Sequence, residues 1–379
     1  MMEILQFAAY KIIGLIYKLF WVFPINKKKI IVNAFGGKGY CDHPASIIDA
    51  LFRHNKKYDI CLVLKDLTTS VPDGIRRVRR HSLQEMYEYA TSKMIIENTR
   101  LPLYITKRRN QVYIETWHAS MNFKKVGWAA SFSTLCGRAR VRHDAESADL
   151  MISNGSFSSL VYRRDFGYQG EILEVGSPRL DVLFRARNVR YDVLSKLGIS
   201  DDKKLVLYAP TFRDDGDTSV YDIDYERLRK TLHWKFGGEW IILLRFHPVM
   251  RDYAKTIKYS SSLVNATVIP DIYDLFSTID MLITDYSSTI LEFSLLKKPS
   301  FIYATDLDRY QVSRGLYFDL NELPFPVSSS NDELAQHIEV FDEDKYQIEL
   351  SSFMDKLGII EKGDASDKVA EYIISKMGV

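Results

Sequence analysis

Residues 281–293 read MLITDYSSTILEF, an apolar run, a polar turn and a second apolar run. The first run predicts a buried β-strand that ends at Thr284, and the second run predicts the buried face of a helix. Three hydroxyl residues can cap the start of that helix: Ser287, Ser288 or Thr289. A buried strand that passes directly into a helix is typical of an α/β protein with a parallel sheet.

The same alternation of apolar strands and amphipathic helices extends outward from this stretch over most of the chain. Its first half predicts strands at Ile30–Ala34, Asp59–Leu64, Met94–Glu97, Gln111–Thr116, Leu150–Ser153 and Ile172–Val175. After a helix around Tyr191–Leu197, it predicts strands at Leu205–Tyr208, Trp240–Arg245, Thr267–Ile269, Met281–Thr284 and Ser300–Ile302. A chain of 379 residues is long enough for two domains. We therefore predict a helix over 1–26 and two Rossmann-like domains over 27–187 and 188–379.

The two predicted domains are similar in size, which suggests that they face each other across a central cleft. Open α/β sheets bind ligands at the carboxyl ends of their strands. Residues that follow strands in both halves are therefore the first candidates for chemistry.

The N-terminal stretch, residues 4–23, is the most apolar part of the chain. A signal peptide is disfavoured, because positive charges lie within and after the run and no small-residue cleavage site follows. A spanning helix is possible by length, although Lys11 lies near its middle. We favour a helix that lies in the membrane interface, with Trp21 and Lys27–Lys29 at its edge. A helix packed against its own domain is the alternative.

Composition limits the classes of partner. Net charge is only +2, but basic residues cluster, which suits an anionic lipid surface or a polyanionic substrate. The clusters are Lys27–Lys29, Arg76–Arg80, Lys107–Arg109, and Arg138, Arg140 and Arg142. No nucleic-acid-binding signature accompanies them, so we predict no nucleic acid partner. The three cysteines are far apart and indicate a reducing compartment. No cysteine, histidine or carboxylate spacing suits a metal, and we predict no metal or cofactor.

Several strand ends carry groups that can act on a phosphate ester. His118 follows the strand at 111–116 and can serve as a general base, although a hydrogen-bonded structural histidine is the alternative. Arg245 and His247 lie on one side of their strand by its two-residue period and suit a diphosphate. Arg213 follows the strand at 205–208, and the turn at Gly176-Ser177-Pro178 is predicted to expose Arg179. At 287–289 the helix start offers N–H groups to an anion, and Glu292, one turn later, can accept hydrogen bonds from ribose hydroxyls.

At these residues the sequence resembles the CDP-glycerol glycerophosphotransferase family of teichoic acid and capsule synthesis. The motifs that carry the resemblance keep their order across residues 30–320. They are Gly37-Lys38-Gly39-Tyr40, Thr116-Trp117-His118 with Lys124-Lys125, Gly176-Ser177-Pro178-Arg179, Ala209-Pro210-Thr211-Phe212-Arg213, Arg245-Phe246-His247-Pro248, Thr284-Asp285-Tyr286-Ser287-Ser288, and Lys298-Pro299 through Arg314-Gly315-Leu316-Tyr317-Phe318-Asp319.

The resemblance implies a glycosyltransferase-B-like fold, attachment to the cytoplasmic face of the cell membrane, and donor binding mainly by the C-terminal domain. His118 is the implied base. The residues implied to surround the CDP group are Arg179, Phe212, Arg213, Arg245, His247, Ser287, Ser288 and Glu292. We count His247 as catalytic with His118, since it would stabilise departing CMP.

The sequence departs from the pattern of the family in three places. Ala119-Ser120-Met121 stands where many members have Gly-Thr-Pro, Leu180 stands where Asn is frequent, and Glu292 stands where Asp occurs. The first departure follows the proposed base directly. We therefore predict that residues beside the base contact the acceptor, and the identity of the polyol is left open. These residues are Ala119, Ser120, Met121 and Asn122.

The functional hypothesis is transfer of glycerol phosphate from CDP-glycerol to a hydroxyl of a lipid-linked teichoic acid or capsule acceptor, either a glycan or a polyol phosphate. The acceptor hydroxyl would attack phosphorus with CMP leaving in line. A CDP-ribitol donor is one alternative. A glycosyltransferase of the same fold is another, and it would release a nucleoside diphosphate from a sugar nucleotide. From another class, the chain could be an inactive scaffold that binds polymer.

Overall fold

The structure is a computed structural model that describes residues 2–130, 134–185, 189–213, 216–307 and 315–378. The chain divides into two compact units. The first comprises Met1–Ser120, Val126–Phe184 and Leu357–Val379, and the second comprises Met121–Lys125 and Arg185–Lys356. Each unit contains one parallel sheet, so the predicted α/β class with two parallel sheets is confirmed.

A seven-stranded sheet forms the centre of the first unit. Its strands are β1 (Asn26–Asn33), β2 (Asp59–Leu64), β3 (Ile75–Arg79), β4 (Ser92–Glu97), β5 (Val112–Glu115), β6 (Leu150–Ser153) and β7 (Glu171–Glu174). Their order is β3-β2-β1-β4-β5-β6-β7. The helices of the first unit up to residue 184 are α1 (Met2–Leu19), α2 (Asp42–Arg53), α3 (Leu83–Thr91), α4 (Leu135–Ser147), α5 (Ser156–Asp165) and α6 (Asp181–Phe184).

The core of this unit follows the two-residue period of its strands. Ile30 and Val32 of β1 pack with α2 on one face of the sheet. Ile31 packs with Tyr17 of α1 and Tyr89 of α3 on the other face. The sheet is therefore covered on both sides, as parallel sheets require.

The second unit is built on a six-stranded parallel sheet. Its strands are β8 (Lys204–Tyr208), β9 (Trp240–Leu244), β10 (Leu263–Asn265), β11 (Met281–Thr284), β12 (Ser300–Tyr303) and β13 (Val327–Ser328), in the order β10-β9-β8-β11-β12-β13. Its helices are α7 (Arg190–Leu197), α8 (Tyr225–Phe236), α9 (Arg251–Thr256), α10 (Ile272–Thr278), α11 (Thr289–Phe293), α12 (Asn331–Glu339) and α13 (Glu343–Leu357).

Two local predictions of strands need correction. Thr267–Ile269 was predicted as a strand, but Ala266–Val268 forms a 3-10 turn and the strand is β10. The reason is that the Asn265 side chain accepts a hydrogen bond from Thr267 N at 2.9 Å and ends the strand. The edge strand β3 was missed because three arginines break its apolar alternation.

The predicted domain boundary also needs correction at the end of the chain. Helix α14 (Ala365–Met377) belongs to the first unit, whereas 188–379 was predicted as one domain. Val369 and Ile373 are fully buried in the core that contains α2. Asp181 of α6 accepts hydrogen bonds from Ala365 N at 3.0 Å and from Ser366 N at 2.7 Å, which fixes the start of α14.

Helix α1 combines a packed face with an exposed apolar face. Tyr17 is fully buried, and Tyr10 and Ile13 pack against the same cluster. On the opposite side Leu15 is 66% exposed and Leu19 is 72% exposed. By length and composition alone, Glu3–Val22 is apolar enough to cross a membrane. The alternative of a helix packed on its own domain therefore holds for one face only.

Candidate active site

The loop after β5 has an unusual backbone conformation. Trp117 has a φ of 55°, in the left-handed region that bulky side chains rarely adopt. Its N–H donates to Glu115 Oε1 at 2.7 Å, and its ring packs edge-on to Phe166 with centroids 4.7 Å apart. Such backbone strain is maintained only where the surroundings impose it, and it is concentrated at functional sites.

His118 follows this strained residue and is half-buried. Its Nδ1 lies 2.9 Å from the carbonyl oxygen of Asn98, the residue after β4. Because a carbonyl can only accept, Nδ1 carries the proton and Nε2 carries the lone pair of the neutral ring. Burial lowers the pKa of His118, and the Asn98 carbonyl partly opposes this effect. A neutral imidazole with a fixed tautomer is the form that a general base requires.

Arg179 lies beside the base in the first unit. Its guanidinium donates to the His118 carbonyl at 2.7 Å, to Asp42 Oδ1 at 3.0 Å and to Ser120 Oγ at 3.2 Å. Its side chain is only 11% exposed, whereas the sequence predicted an arginine exposed by a turn. Arg179 was predicted to contact the CDP donor with residues of the second unit. These hydrogen bonds join it to His118 and Ser120 after β5 and to Asp42 at the start of α2, and its contact with the donor stays a prediction.

Asp42 and Asn98 complete this cluster, although no motif in the sequence predicted them. Asn98 Nδ2 donates to Asp42 Oδ2 at 2.6 Å, so the carboxylate of Asp42 links Asn98 to Arg179. Burial would raise the pKa of Asp42, but Arg179 and the neighbouring His43 hold it below its ordinary value. Asn98 could have been found from its position directly after β4, at the same sheet edge as His118.

Three of the four residues predicted to lie near the acceptor are buried. Ser120 is 3% exposed, Met121 is 0% and Asn122 is 1%, while Ala119 is half-buried. The Ser120 carbonyl accepts a hydrogen bond from Ser158 Oγ at 3.2 Å. Direct contact between an acceptor and the three buried side chains would therefore need a local rearrangement. Their role in binding an acceptor stays a prediction.

Buried carboxyl groups form hydrogen bonds beneath the loop that carries His118, on the side of the protein core. Burial raises the pKa of Glu115 and that of Asp144. Tyr113 Oη lies 2.7 Å from Glu115 Oε2 and 2.6 Å from Asp144 Oδ1. Since a tyrosine has one hydroxyl proton, both contacts are hydrogen bonds only if one of the two carboxyl groups is protonated. This hydrogen-bonded set holds the Trp117 amide through Glu115.

In the second unit, Arg213 follows β8 and is engaged with protein groups. It bonds to Asp306 through Nε at 2.8 Å and Nη2 at 3.0 Å, and its Nη1 lies 2.9 Å from Asp285. Tyr286, whose ring centre lies 4.9 Å from Arg213 Cζ, also donates to Asp306 at 2.9 Å. Arg213 was predicted to hold the diphosphate directly. Its carboxylate partners connect the loops after β8, β11 and β12, and its direct contact with the diphosphate stays a prediction.

Arg245 and His247 lie in the segment that follows β9, beyond its last residue Leu244. Arg245 donates to the Ile269 carbonyl through Nη1 and to the Pro270 carbonyl through Nη2 at 2.9 Å. His247 is exposed, and its Nδ1 accepts from Val249 N at 3.3 Å, which leaves the proton of the neutral ring on Nε2. The ring of Phe212 lies 6.2 Å from that of His247, measured between centroids.

The helix predicted from residues 289–293 is present but short. Ser288 is its N-cap residue, and Ser287 Oγ accepts a hydrogen bond from Thr289 N at 3.4 Å. Ser287 and Ser288 are half-buried. Glu292 is 2% exposed and accepts from Tyr273 Oη at 2.9 Å. A direct contact of Glu292 with ribose would therefore involve this buried carboxylate and stays a prediction.

The predicted site residues thus fall into two groups. His118 and Arg179 lie together in the first unit, and the second unit holds Phe212, Arg213, Arg245, His247, Ser287, Ser288 and Glu292. Over the ranges that the structure describes, no group of three or more histidine, cysteine or carboxylate side chains is placed to hold a metal ion. Arg314, part of one family motif, lies outside the described residues.

Comparison with known proteins places the chain in one family. Residues 15–375 match the family described as CDP-Glycerol:Poly(glycerophosphate) glycerophosphotransferase. The chain is 30% identical to a teichoic acid poly(glycerol phosphate) polymerase of Bacillus spizizenii, with 96% of each chain covered. It is 31% identical to a polymerase of the same name from Staphylococcus epidermidis, with 92% of this chain and 51% of that protein covered. The chain thus spans about half the length of some curated relatives and nearly all of others.

A solved variant structure of the wall teichoic acid polymerase TagF is also similar, with a TM-score of 0.85 and 28% identity. The match covers 97% of this chain and 94% of that one. A structure of the same polymerase soaked with CDPG has a TM-score of 0.81.

The two parallel sheets, the polar groups at their strand ends and this similarity define a glycosyltransferase-B-like transferase. The predicted fold class is therefore confirmed. The chain belongs to the CDP-glycerol:poly(glycerophosphate) glycerophosphotransferase family. The resemblance identified from the sequence motifs is confirmed as well.

Proposed function

We propose that this protein transfers glycerol phosphate from CDP-glycerol to a hydroxyl of a lipid-linked teichoic acid or capsule acceptor and releases CMP. One observation carries the proposal: His118 is a neutral imidazole whose Nδ1–H is held by the Asn98 carbonyl at 2.9 Å. Nε2 is then the atom that accepts the proton of the attacking hydroxyl. Membership of the family supplies the reaction class.

In the first unit, the residues around His118 act on the geometry of the base. Arg179 fixes the backbone carbonyl of His118, and Asn98 fixes its ring. Asp42 bonds to Arg179 at 3.0 Å and to Asn98 at 2.6 Å. A base held in one orientation loses little entropy when the transition state forms. Arg179, Asn98 and Asp42 are therefore positioning residues in this proposal.

In the second unit, the donor diphosphate is assigned to groups that can still donate. Arg245 uses two of its five N–H groups on the carbonyls of Ile269 and Pro270. His247 presents Nε2–H, which can bond to the phosphate oxygen that becomes part of CMP. Ser287 and Ser288 add hydroxyl and backbone donors. Arg213 keeps Thr211 and Asp285 in place for these contacts.

The exposed face of α1 supports a location at a membrane. Its side chains include Ile12, Leu15 and Leu19, each at least 60% exposed. A contiguous apolar face of this kind is rarely left in water. We propose that α1 lies in the interface of the cytoplasmic leaflet, where a lipid-linked acceptor would be presented to the enzyme.

The donor and the products can be tested together. Purified protein is incubated with a lipid-linked disaccharide acceptor and either CDP-glycerol or CDP-ribitol, and the products are analysed by mass spectrometry. We expect the acceptor to gain glycerol phosphate, with one CMP released per unit added. A ribitol phosphate product would identify the alternative donor. Release of a nucleoside diphosphate from a sugar nucleotide, with no CMP from either CDP-polyol, would contradict the proposal.

The pH dependence of transfer should report the charges around the base. Because the pKa of His118 lies below its ordinary value, the acid limb of kcat/KM should lie below pH ~6.5. Arg179 lowers this pKa and Asp42 raises it. The acid limb should therefore move to higher pH in Arg179→Gln and to lower pH in Asp42→Asn. Unchanged limbs in both variants would show that another group titrates.

A further inference from the structure

A cavity of about 750 Å³ lies in the first unit between α1, α4 and the 3-10 turn Gly127–Ala129. Its lining includes Phe7, Tyr10, Lys11, Trp128, Arg138 and Arg142. All of these residues belong to the first unit, and none lies within residues 116–122 around His118. We call this space the α1–α4 cavity.

The lining of the α1–α4 cavity is strongly basic. Lys11, Arg138 and Arg142 are exposed to solvent, and Glu146 is the one carboxylate among the lining residues. Within the described ranges, none of the three cations forms an ion pair, while Lys11 lies 5.3 Å from the centre of the Phe7 ring. Unpaired cations of this kind favour an anionic ligand.

The helices explain why these cations converge. Arg138 and Arg142 are four residues apart on α4, so both lie on one face of that helix. Arg140, on another face, donates to Tyr10 Oη at 3.1 Å and helps to hold α1 against α4. A second link is the hydrogen bond from Leu135 N to Glu3 Oε2 at 3.2 Å. The arginines of this cluster thus divide into one that joins the helices and two without an assigned role.

His143 adds a hydrogen-bonding group to the same lining. Its Nε2 is buried and has no hydrogen-bond partner in the part of the chain that the structure describes. Buried polar atoms without partners are uncommon in proteins and call for an explanation, such as an absent ligand. The two guanidinium groups of Arg138 and Arg142 beside it match the recognition of a phosphate.

The position of the cavity favours a lipid as the source of that phosphate. One wall is α1, whose outer face exposes Leu5, Ile12 and Leu15 by 60% or more. Aromatic and basic residues beside such a face are typical of the zone of lipid headgroups. A phosphate at the depth of the cavity would then belong to a lipid whose acyl chains lie beside α1.

We propose that the α1–α4 cavity binds the phosphate of an anionic membrane lipid headgroup through Arg138, Arg142 and Lys11. This inference rests on the proposed association of α1 with the membrane. It assigns α4 a function in lipid selection that is separate from catalysis by His118.

Vesicle binding of the full chain tests this inference. Sedimentation is measured with vesicles of phosphatidylcholine alone and with vesicles that also contain phosphatidylglycerol. The wild type should prefer the anionic vesicles. Arg138→Ala/Arg142→Ala should lose about 10- to 30-fold of that preference, since each basic residue near the surface contributes about fivefold. Ala139→Phe, which narrows the cavity without changing charge, should also reduce the preference.

Matched controls separate the cavity from general electrostatics. Lys56→Ala/Lys57→Ala removes the same charge beyond the end of α2, on the other face of the sheet, and should leave the preference unchanged. An equal loss in this control would overturn the inference. So would soluble glycerol phosphate that binds without vesicles as tightly and depends on Arg138 and Arg142, since the ligand would then be a free phosphate.

The outcome also distinguishes this inference from the proposed function. Leu15→Asp/Leu19→Asp should abolish binding to both kinds of vesicle. If the wild type binds neither vesicle, the proposed membrane association is wrong and the inference fails with it. If the wild type binds both and the arginine variants keep full preference, only the lipid site is wrong.

Discussion

His118→Ala is expected to lower kcat for glycerol phosphate transfer by about 10²–10⁴-fold, the usual contribution of a general base. The variant removes the only group that we assign to proton abstraction, whereas the proposed donor contacts lie in the second unit. Binding of CDP-glycerol, measured by calorimetry, should therefore change little. Steady-state assay of CMP release provides the rate.

A second histidine controls for nonspecific effects of this substitution. His54 belongs to the same unit and caps the C-terminus of α2, away from the loop of the base. His54→Ala should retain nearly full activity. Transfer by His118→Ala at close to the wild-type rate would exclude His118 as the base. A loss of donor affinity that equals the loss of kcat/KM would assign it to binding instead.

Arg213→Ala is expected to destabilise the second unit by about 3–5 kcal/mol, the usual cost of breaking a buried ion pair. Arg213 is 6% exposed, and the side chains of Asp285 and Asp306 are 2% and 7% exposed. Removing the guanidinium takes the positive charge of Arg213 away from two buried carboxylates. Chemical denaturation followed by the fluorescence of Trp234 and Trp240, with the tryptophans of the first unit replaced, would measure the loss.

The pH dependence of this loss follows from the charges. Burial raises the pKa of Asp285 and Arg213 opposes that effect, so the variant should bind protons at Asp285 more readily. Its stability deficit should therefore shrink as the pH falls. Arg229→Ala, which breaks an exposed pair with Glu226, should cost at most about 1 kcal/mol. An equally small effect of Arg213→Ala would contradict the positioning role and favour direct contact with the diphosphate.

Local patterns in the sequence were sufficient for most of the fold. The apolar runs of β5, β9 and β11 are short and continuous, as expected for strands buried on both faces. The turn after β11 was also predictable, because its hydroxyl residues come directly after a buried strand. Edge strands such as β3 gave no such signal, because only Ile75 and Val78 are buried there.

Side-chain roles were less predictable than side-chain positions. The sequence placed Arg213 after a strand, but nothing local indicated that Asp285 and Asp306 would occupy its guanidinium. Arg179 is a similar case, since it meets Asp42 from 137 residues away in the chain. Hydrogen bonds between distant segments depend on which loops the sheet order brings together, and strand periodicity carries no information about that order.

By itself, the sequence determined the α/β class, the positions of most strands and the family of this protein, because buried strands and motif order are local properties of the chain. Only the tertiary structure decided that α14 completes the first unit, that His118 has its proton on Nδ1, and that Arg138 and Arg142 line a cavity beside α1. These features arise from contacts between residues far apart in sequence, whose free energy exists only once the chain has folded.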